Sequence, residues 1–512
     1  MMILLFTAAL IAASLATASA MGGGGSMGGG GGGCGGGGGG CGGGAGVIDP
    51  PPGAAFADPP EMGNMTDAPG VVEVNVECRI APVKVNGVTA NLFTYNGFAP
   101  APTIRVSQGD TLQIHFKNAL PPTTQTNFLG FTRNFTNLHT HGMHVSPLPP
   151  ADAAAITYAP GESHDYEYDL CYQEPGTLTF YHPHAHGLVA EQYWGGATGM
   201  MVTADATSVL AGFETHLMML KDINLVGSDP EPHDSTMKYM QGMEGNTVMV
   251  NGLVNPVLSA RPGQVQRWRV LNASTARFYK LSLQSHSLYV IGTDGGLLDK
   301  PYAQSYIVMA PGERVDLLVK ASTTQGNYKL LSLPYSRMGM MTSAQITLLT
   351  MAVKGTSVKN NIPSSINPAA ARLNLDTSML PKRTYVLSMG MGRGYINGRD
   401  FDVSPDMTMS DLGTYEVWEI INQSNMDHPW HQHVNEAQVL SISGGDSAYR
   451  TLYTTAPARK DVVLVPRGGS VKLLVPVMDW PGMAMYHCHI LEHEDIGMMG
   501  MWDIMDGGMG GM

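Results

Sequence analysis

"GDTLQIHFKN", residues 109–118, starts on a glycine and ends on an asparagine. Between them lie aliphatic and aromatic residues in partial alternation with polar ones, the pattern of a strand with one buried face. The same frame returns as "GQVQRWRVLN" at 263–272 and "GTYEVWEIIN" at 413–422, 154 and 150 residues further along the chain. An Asn-Gly pair precedes each copy: Asn96-Gly97, Asn251-Gly252 and Asn397-Gly398. Asn-Gly is a tight-turn signal between strands. One such pair is commonplace, but three in step with three matching strands mark an internal repeat. The rest of the chain reads as short strands between Gly, Pro, Asp and Asn turns. These features predict an all-β chain of three Greek-key β-sandwich domains, about 150 residues each. The domains are expected at 70–205, 206–365 and 366–512, with the second boundary in the polar stretch "KGTSVKNNIPSSINPAAARLN".

The 512 residues are 43% hydrophobic, enough for three cores, and the formal net charge is −13 with no basic cluster. That balance excludes a nucleic-acid binder. Residues 1–20, "MMILLFTAALIAASLATASA", form a short apolar run ending Ala18-Ser19-Ala20 and read as a secretory signal. No other segment is long and apolar enough to span a bilayer. A periplasmic or secreted protein is therefore expected, monomeric and not inserted in a membrane after cleavage. Residues 21–69, glycine-rich and carrying Cys34 and Cys41, are expected as a disordered tail and linker. Cys78 and Cys171 could pair in an oxidising compartment. Cys488 is then left odd.

The copies differ in their histidines. After the repeated strand, copy one has "NLHTHG" (137–142), copy three has "DHPWHQH" (427–433) and copy two has "STARFYKLSL". Near their ends, copy one has "PGTLTFYHPHAHG" (175–187), copy three has "PGMAMYHCHILEH" (481–493) and copy two has "QGNYKLLSLPY". Domains one and three are expected to carry the chemistry, with domain two a spacer or scaffold.

Four His-x-His pairs result: His139/His141, His182/His184, His431/His433 and His487/His489. On a strand, i and i+2 share a face, so each pair aims two imidazoles one way. Eight imidazoles suit three ions that divide them three, three and two. Imidazole favours zinc, copper, iron or nickel. Cys488 narrows the choice, because it lies between His487 and His489 and its sulfur must face the opposite side. There it can meet His428, His493 and Met498, a set of two histidines, a thiolate and a weak thioether that selects copper for electron transfer. One residue would then hold a single copper while its covalent neighbours hold a cluster. Four coppers supply the four electrons that take dioxygen to water.

In these motifs, "HTHG", "HPH", "HPWHQH" and "HCHILEHEDIGM", the chain resembles three-domain multicopper oxidases of the laccase and copper-efflux type, over about residues 70–506. The resemblance implies cupredoxin-like domains with four coppers. His139 and His431 would hold the type 2 ion. His141, His182, His184, His433, His487 and His489 would hold the type 3 pair. His428, Cys488, His493 and Met498 would hold the type 1 ion. It further implies proton-supplying carboxylates at Glu494 and, with the spacing shifted by about two residues, Asp152. The substrates would be dioxygen and a small one-electron donor: Cu(I), a phenol or another metal ion.

Methionine, with 35 copies, bears on the donor. Thioethers are soft and suit Cu(I), although methionine also fills cores. By resemblance to copper efflux oxidases, Met426 and Met389 would form a substrate Cu(I) site. Ser424 stands where that family has an aspartate, and the family's long methionine- and histidine-rich lid is absent, so an open type 1 edge is expected. His144 and His186 match no ligand position, and His115, His164, His216, His233 and His286 carry no signal.

Overall fold

A computed structural model describes residues 46–339 and 342–506. The repeat is visible in how each copied strand is held. Thr111–Asn118, Val265–Asn272 and Thr414–Asn422 each run parallel to an earlier strand, Val71–Val85, Glu214–Ile223 and Lys382–Gly390 respectively. The terminal asparagines are buried and do the same work three times. Asn118 donates its Nδ2 to the carbonyls of Asn134 (2.8 Å) and Tyr158 (2.9 Å) and accepts from the Leu120 N–H (3.0 Å). Asn272 reaches Arg277 and Met309 and accepts from Ser274. Asn422 reaches Met426 and Val465 and accepts from Ser424. Each asparagine thus satisfies loop backbone that would otherwise be buried without partners.

The Asn-Gly pairs turn as expected, with φ of 55° and 83° at 96–97, 53° and 78° at 251–252, and 54° and 71° at 397–398. Two successive positive φ values are the demand of the tight hairpin turn. Each turn asparagine also accepts an N–H from the neighbouring long strand: Glu77, Met219 and Val386.

Three pairs of sheets follow, the Greek-key sandwiches of cupredoxin-like domains. The chain passes from the first pair to the second between Thr203 and Glu214, and from the second to the third between Val353 and Lys382. In the first pair, His139–His141 lies at the edge of the sheet Ala101–Val106, Gly199–Thr203, Leu178–His182, His139–His141. In the third, His428–Gln432 and Gly482–Cys488 are central neighbours in a five-stranded sheet. Its core stacks Trp430 on Tyr486 (centroids 5.1 Å apart), with Tyr385, Trp418 and Trp502 around them.

One expectation is corrected. Residues 46–69 are not a disordered linker: Val47–Ile48 pairs with Gln345–Ile346, and the chain continues through bonds to Asn255 and Val257 before reaching Thr103. Backbone pairing supplies the order that composition alone does not. Residues 1–45, with the expected signal, Cys34 and Cys41, lie outside the described residues, as do Met340, Met341 and 507–512. Cys78 and Cys171 do not pair. Cys78 is sealed in the domain 1 core, where burial pushes its thiol up to about 12, while Cys171 lies on an exposed turn. No helix among the described residues is long and apolar enough to cross a membrane.

Candidate metal centre

The strands His428–Gln432 and Gly482–Cys488 pair with Trp430 opposite Cys488, His431 opposite His487 and Gln432 opposite Tyr486. Alternation then sorts the side chains. His428, Trp430, Tyr486 and Cys488 take one face, and His431, His433, His487 and His489 the other.

On the first face, Cys488 Sγ lies 3.3 Å from His428 Nδ1 and 3.6 Å from His493 Nδ1, and the two nitrogens are 3.2 Å apart. A triangle of that size encloses one ion about 2 Å from each nitrogen. Met498 is fully buried beside it, its N–H bonded to His493 O and its carbonyl accepting from the Cys488 N–H. Burial, with Arg337 adding, holds His428 down to about 3, a neutral imidazole with a free lone pair. Burial also raises the Cys488 thiol far above its ordinary value, so its ionisation calls for a cation in the pocket.

On the second face, the eight imidazoles of domains one and three gather into one buried cage. His139 stacks on His433 at 4.2 Å and His141 on His431 at 3.8 Å. Donor nitrogens converge in the groups His139/His141/His431, His141/His182/His489 and His184/His433/His487. His487 Nε2 lies 3.2 Å from His184 Nε2 and 3.3 Å from His433 Nε2.

The ring nitrogens test the fit to a metal. His139 Nδ1 donates to Asp152 (2.7 Å), His141 Nε2 contacts Asp461 Oδ1 (3.2 Å), His182 Nδ1 donates to Pro183 O (2.9 Å) and His431 Nδ1 to Asp461 O (3.0 Å). The opposite nitrogen of each of these rings is buried and has no partner among the described residues. One nitrogen fixed outward and one bare inward is the arrangement that presents an imidazole to a metal. Burial, then mutual repulsion, keeps His141, His182, His431, His433 and His489 neutral.

The helix Leu491–Asp495 distributes four consecutive polar groups, because successive side chains step by about 100°. Glu492 accepts from His233 and the Met243 N–H, and His493 faces Cys488. Glu494 lies 3.1 Å from His487 Nδ1 and 3.6 Å from His184 Nε2. Asp495 accepts the N–H groups of Val189 and Ala190. Burial alone would raise Glu494, but His487 and His184 bring it down to about 2.

Asp152 reaches the cage because its loop folds back, binding both His139 and the Thr140 N–H (2.9 Å).

Domain two braces the cage from behind. Its Arg314, 1% exposed, donates to Asp461 from both terminal nitrogens and to Leu178 O from Nε (2.9 Å), so it touches all three domains behind His141 and His431. Gly312 leaves room for the His489 ring, about 3 Å from where a Cβ would sit. Lys460 lies 2.9 Å from both Asp294 and Glu313. None of these groups had a sequence signal, because each acts through a partner in another domain.

The pocket edge is covered rather than open. His493 Nε2 donates to Met240 O (3.3 Å) in the domain two helix Thr236–Gln241, and His428 Nε2 lies 2.7 Å from Ser424 Oγ. Met426 is buried with its Sδ 3.3 Å from Arg337 Nη1, and Met389 is partly buried on the strand that pairs with Arg393–Ile396. The adjoining turn carries Met391, 99% exposed, and packs at Gly392 against Thr236, whose neighbour Met237 is 62% exposed. Of the other histidines, His144 bridges Val434 O (2.7 Å) and Asp479 (2.8 Å), and His186 contacts Asp402.

A thiolate–imidazole pocket joined through one strand to an eight-histidine cage, on cupredoxin-like sandwiches, defines a copper-dependent oxidoreductase. Family models described as Multicopper oxidase match residues 77–208, 214–353 and 372–508. The chain belongs to the multicopper oxidase family. It is 29% identical over 422 residues to the multicopper oxidase mco of Staphylococcus haemolyticus, covering 80% of this chain and 83% of that protein. It is 28% identical over 471 residues to a laccase of Bacillus subtilis, covering 81% and 90%. Similarity extends at 27% over 434 residues to the cell division protein FtsP of Xenorhabdus nematophila, covering 79% and 83%. Among solved structures, the Campylobacter jejuni multicopper oxidase, described as a metallo-oxidase, superposes with a TM-score of 0.75 at 27% identity, covering 90% of this chain and 98% of that one.

Proposed function

We propose that this chain is an exported enzyme holding four coppers, which oxidises a small donor by single electrons and reduces dioxygen to water. His428, Cys488 and His493, with Met498 as weak fourth ligand, would hold one ion. His139 and His431 would hold the second, and His141, His182, His489, His184, His433 and His487 a pair. When bound, these coppers supply one-electron acceptance at the thiolate site and four-electron reduction of dioxygen in the cage. The observation that carries the reading is the alternation at 487–489, where the Cys488 side chain faces one site and its covalent neighbours face the other. Glu494, which lies against His487 and His184, would pass protons into the cage, and Asp152, bonded to His139, would fix that ring. A non-catalytic copper-binding role on the same scaffold is disfavoured by the complete set of converging donors.

Glu494→Gln should slow dioxygen reduction by about a hundredfold, the scale of general acid catalysis, with the visible thiolate–copper absorption retained. Equal turnover in the variant and the parent would remove Glu494 from the proton path.

For the donor, Cu(I) is the first reading, on the exposed thioethers Met237 and Met391 beside the covered pocket and on partly buried Met389. A phenol is the second, and one observation favours it: the Arg337 guanidinium at Met426 Sδ opposes a cation there. Oxygen uptake by copper-loaded protein with Cu(I), a phenol and Fe(II) in parallel decides between them. Fastest uptake with Cu(I), slowed by Met389→Leu with Met426→Leu, is the expected result. Faster uptake with the phenol and no effect of the double substitution would overturn the Cu(I) assignment.

A further inference from the structure

Methionines cover one face of the domain three sheet. The edge strand Asp406–Asp411 runs beside Met499–Met505, which pairs in turn with Gly482–Cys488. The registers align the side chains of one face in rows across these three strands. The outer row is Met409, Asp503 and Met483, and the next is Met407, Met501 and Met485. A third row sets Met499 opposite His487, which in turn lies opposite His431. Burial deepens in the same order. Met407 and Met409 are each 53% exposed and Met483 36%, Met485 is 5% exposed, and Met499 and His487 are sealed. Alternation places this face with His487 and not with Cys488, so it lies on the cage side of the strand, away from the thiolate pocket.

Packing accounts for the inner end only. Met485 and Met499 cluster with Ala154 of domain one, and Leu148 from the same loop lies over Gly482. Met407, Met409 and Met483 present thioethers to solvent, where they fill no core. Asp503, half-buried between Met409 and Met483, makes no side-chain hydrogen bond or ion pair among the described residues. None of the three strands contains a lysine or an arginine. The guanidinium that reaches them, Arg383, bonds the Met409 carbonyl and is paired with Glu416. A face of soft sulfur with a carboxylate and no cation of its own attracts a soft cation. Neighbouring strands lie about 4.8 Å apart, so facing groups in one row can share an ion. Zinc, calcium and magnesium take nitrogen, thiolate or oxygen, whereas thioethers select Cu(I).

Position gives the face its role. Rows repeat about every 7 Å along the strands, and the last of them ends on a cage imidazole. His487 converges with His184 and His433. Thioethers are weaker ligands than imidazole. Donor strength therefore rises along the same path as burial, from solvent to the cage.

We propose that this methionine face is a Cu(I)-binding site that loads the cage. Cu(I) is captured on the row Met409, Asp503 and Met483, moves to Met407, Met501 and Met485, and is delivered past Met499 to His487. The inference rests on the oxidase reading for its destination. It concerns how copper reaches the cage, not which donor the enzyme oxidises. Each step exchanges ligands on one ion. The copper stays Cu(I), no electron moves, and only metal–ligand bonds form and break. Asp503 balances the charge of the ion in the outer row.

The test labels the methionine methyl groups with carbon-13 and titrates the copper-loaded, fully reduced protein, in which every copper is diamagnetic, with Ag(I), a soft ion that keeps its oxidation state. Ag(I) is expected to shift the Met407, Met409 and Met483 resonances, each identified by its leucine variant, and Asp503→Asn to weaken that binding about tenfold. Loading is timed separately. Cu(I) is added to the copper-free full chain under argon, a Cu(I) chelator strips the surface, and the copper retained beyond that of the thiolate pocket is counted. Met407→Leu, Met409→Leu and Met483→Leu together, exposed changes that conserve volume, should slow this loading about tenfold. Loaded to completion, the triple variant should match the parent in copper content, visible absorption and oxygen uptake, which separates delivery from catalysis. Methyl resonances that stay in place at several equivalents of Ag(I) overturn the site. Loading of the triple variant at the parental rate overturns the delivery and leaves the oxidase reading standing. A parent that binds Ag(I) on this face yet never takes copper into the cage overturns the delivery together with the oxidase reading. Should the triple variant fail to fold, Met407→Leu with Met409→Leu, both on the edge strand, carries the measurement.

Discussion

Replacing Cys488 by serine is expected to abolish the visible thiolate–copper absorption and to lower turnover with every donor by about a thousandfold or more. Changes to groups standing behind metal ligands typically cost ten- to a hundredfold, and Cys488 is proposed as a ligand itself. Its Sγ completes the triangle with His428 and His493, and no other cysteine sulfur among the described residues lies in that pocket. A serine oxygen is a harder donor and suits copper less well. The cage nitrogens lie on the opposite face of the strand, so the variant should keep its copper there. Metal analysis should fall from about four atoms per chain to about three. Retention of the absorption, or turnover within tenfold of the parent, would sink the assignment of the pocket.

Arg314→Met is expected to destabilise the copper-free protein by about 3–5 kcal/mol, the cost of leaving one partner of a buried ion pair alone. Arg314 and Asp461 are 1% and 2% exposed, and methionine cannot replace the forked donation to the carboxylate. The stranded Asp461 also contacts His141 Nε2 and, through its carbonyl, His431 Nδ1. The spectroscopic signature of copper at His139 and His431 should therefore change as well. Adding Asp461→Asn removes the unpaired charge and should recover part of the stability. Thermal unfolding of the metal-free single and double variants measures both effects. An unshifted midpoint in Arg314→Met would show that the pair is not holding the domains.

Much of this was legible in one dimension because it is local. The glycine–strand–asparagine frame recurs because a β-sandwich needs the same turn and the same satisfied loop carbonyls three times, and Asn118, Asn272 and Asn422 meet that need identically. The His-x-His spacing and the interleaved Cys488 were legible for the same reason, since a period of two fixes which face each side chain takes. The helix Leu491–Asp495 was legible only in part. Its histidine and Glu494 fell within a recognisable motif, but Glu492 meets its partner His233 across 259 residues.

The sequence by itself determined the repeat, the turns, the alternation that separates a thiolate face from a histidine face, and the absence of histidine motifs from domain two. Tertiary structure alone decided that residues 46–69 are pinned to a sheet, that Cys78 and Cys171 stay apart, and that Arg314 and Asp461 stand behind the proposed metal ligands. It also decided that a helix from domain two closes over His493. The physical reason is range. Backbone geometry acts over two to four residues and is written in spacing, whereas a buried charge is stabilised by whichever opposite charge or hydrogen-bond donor the packing of domains brings within about 3 Å.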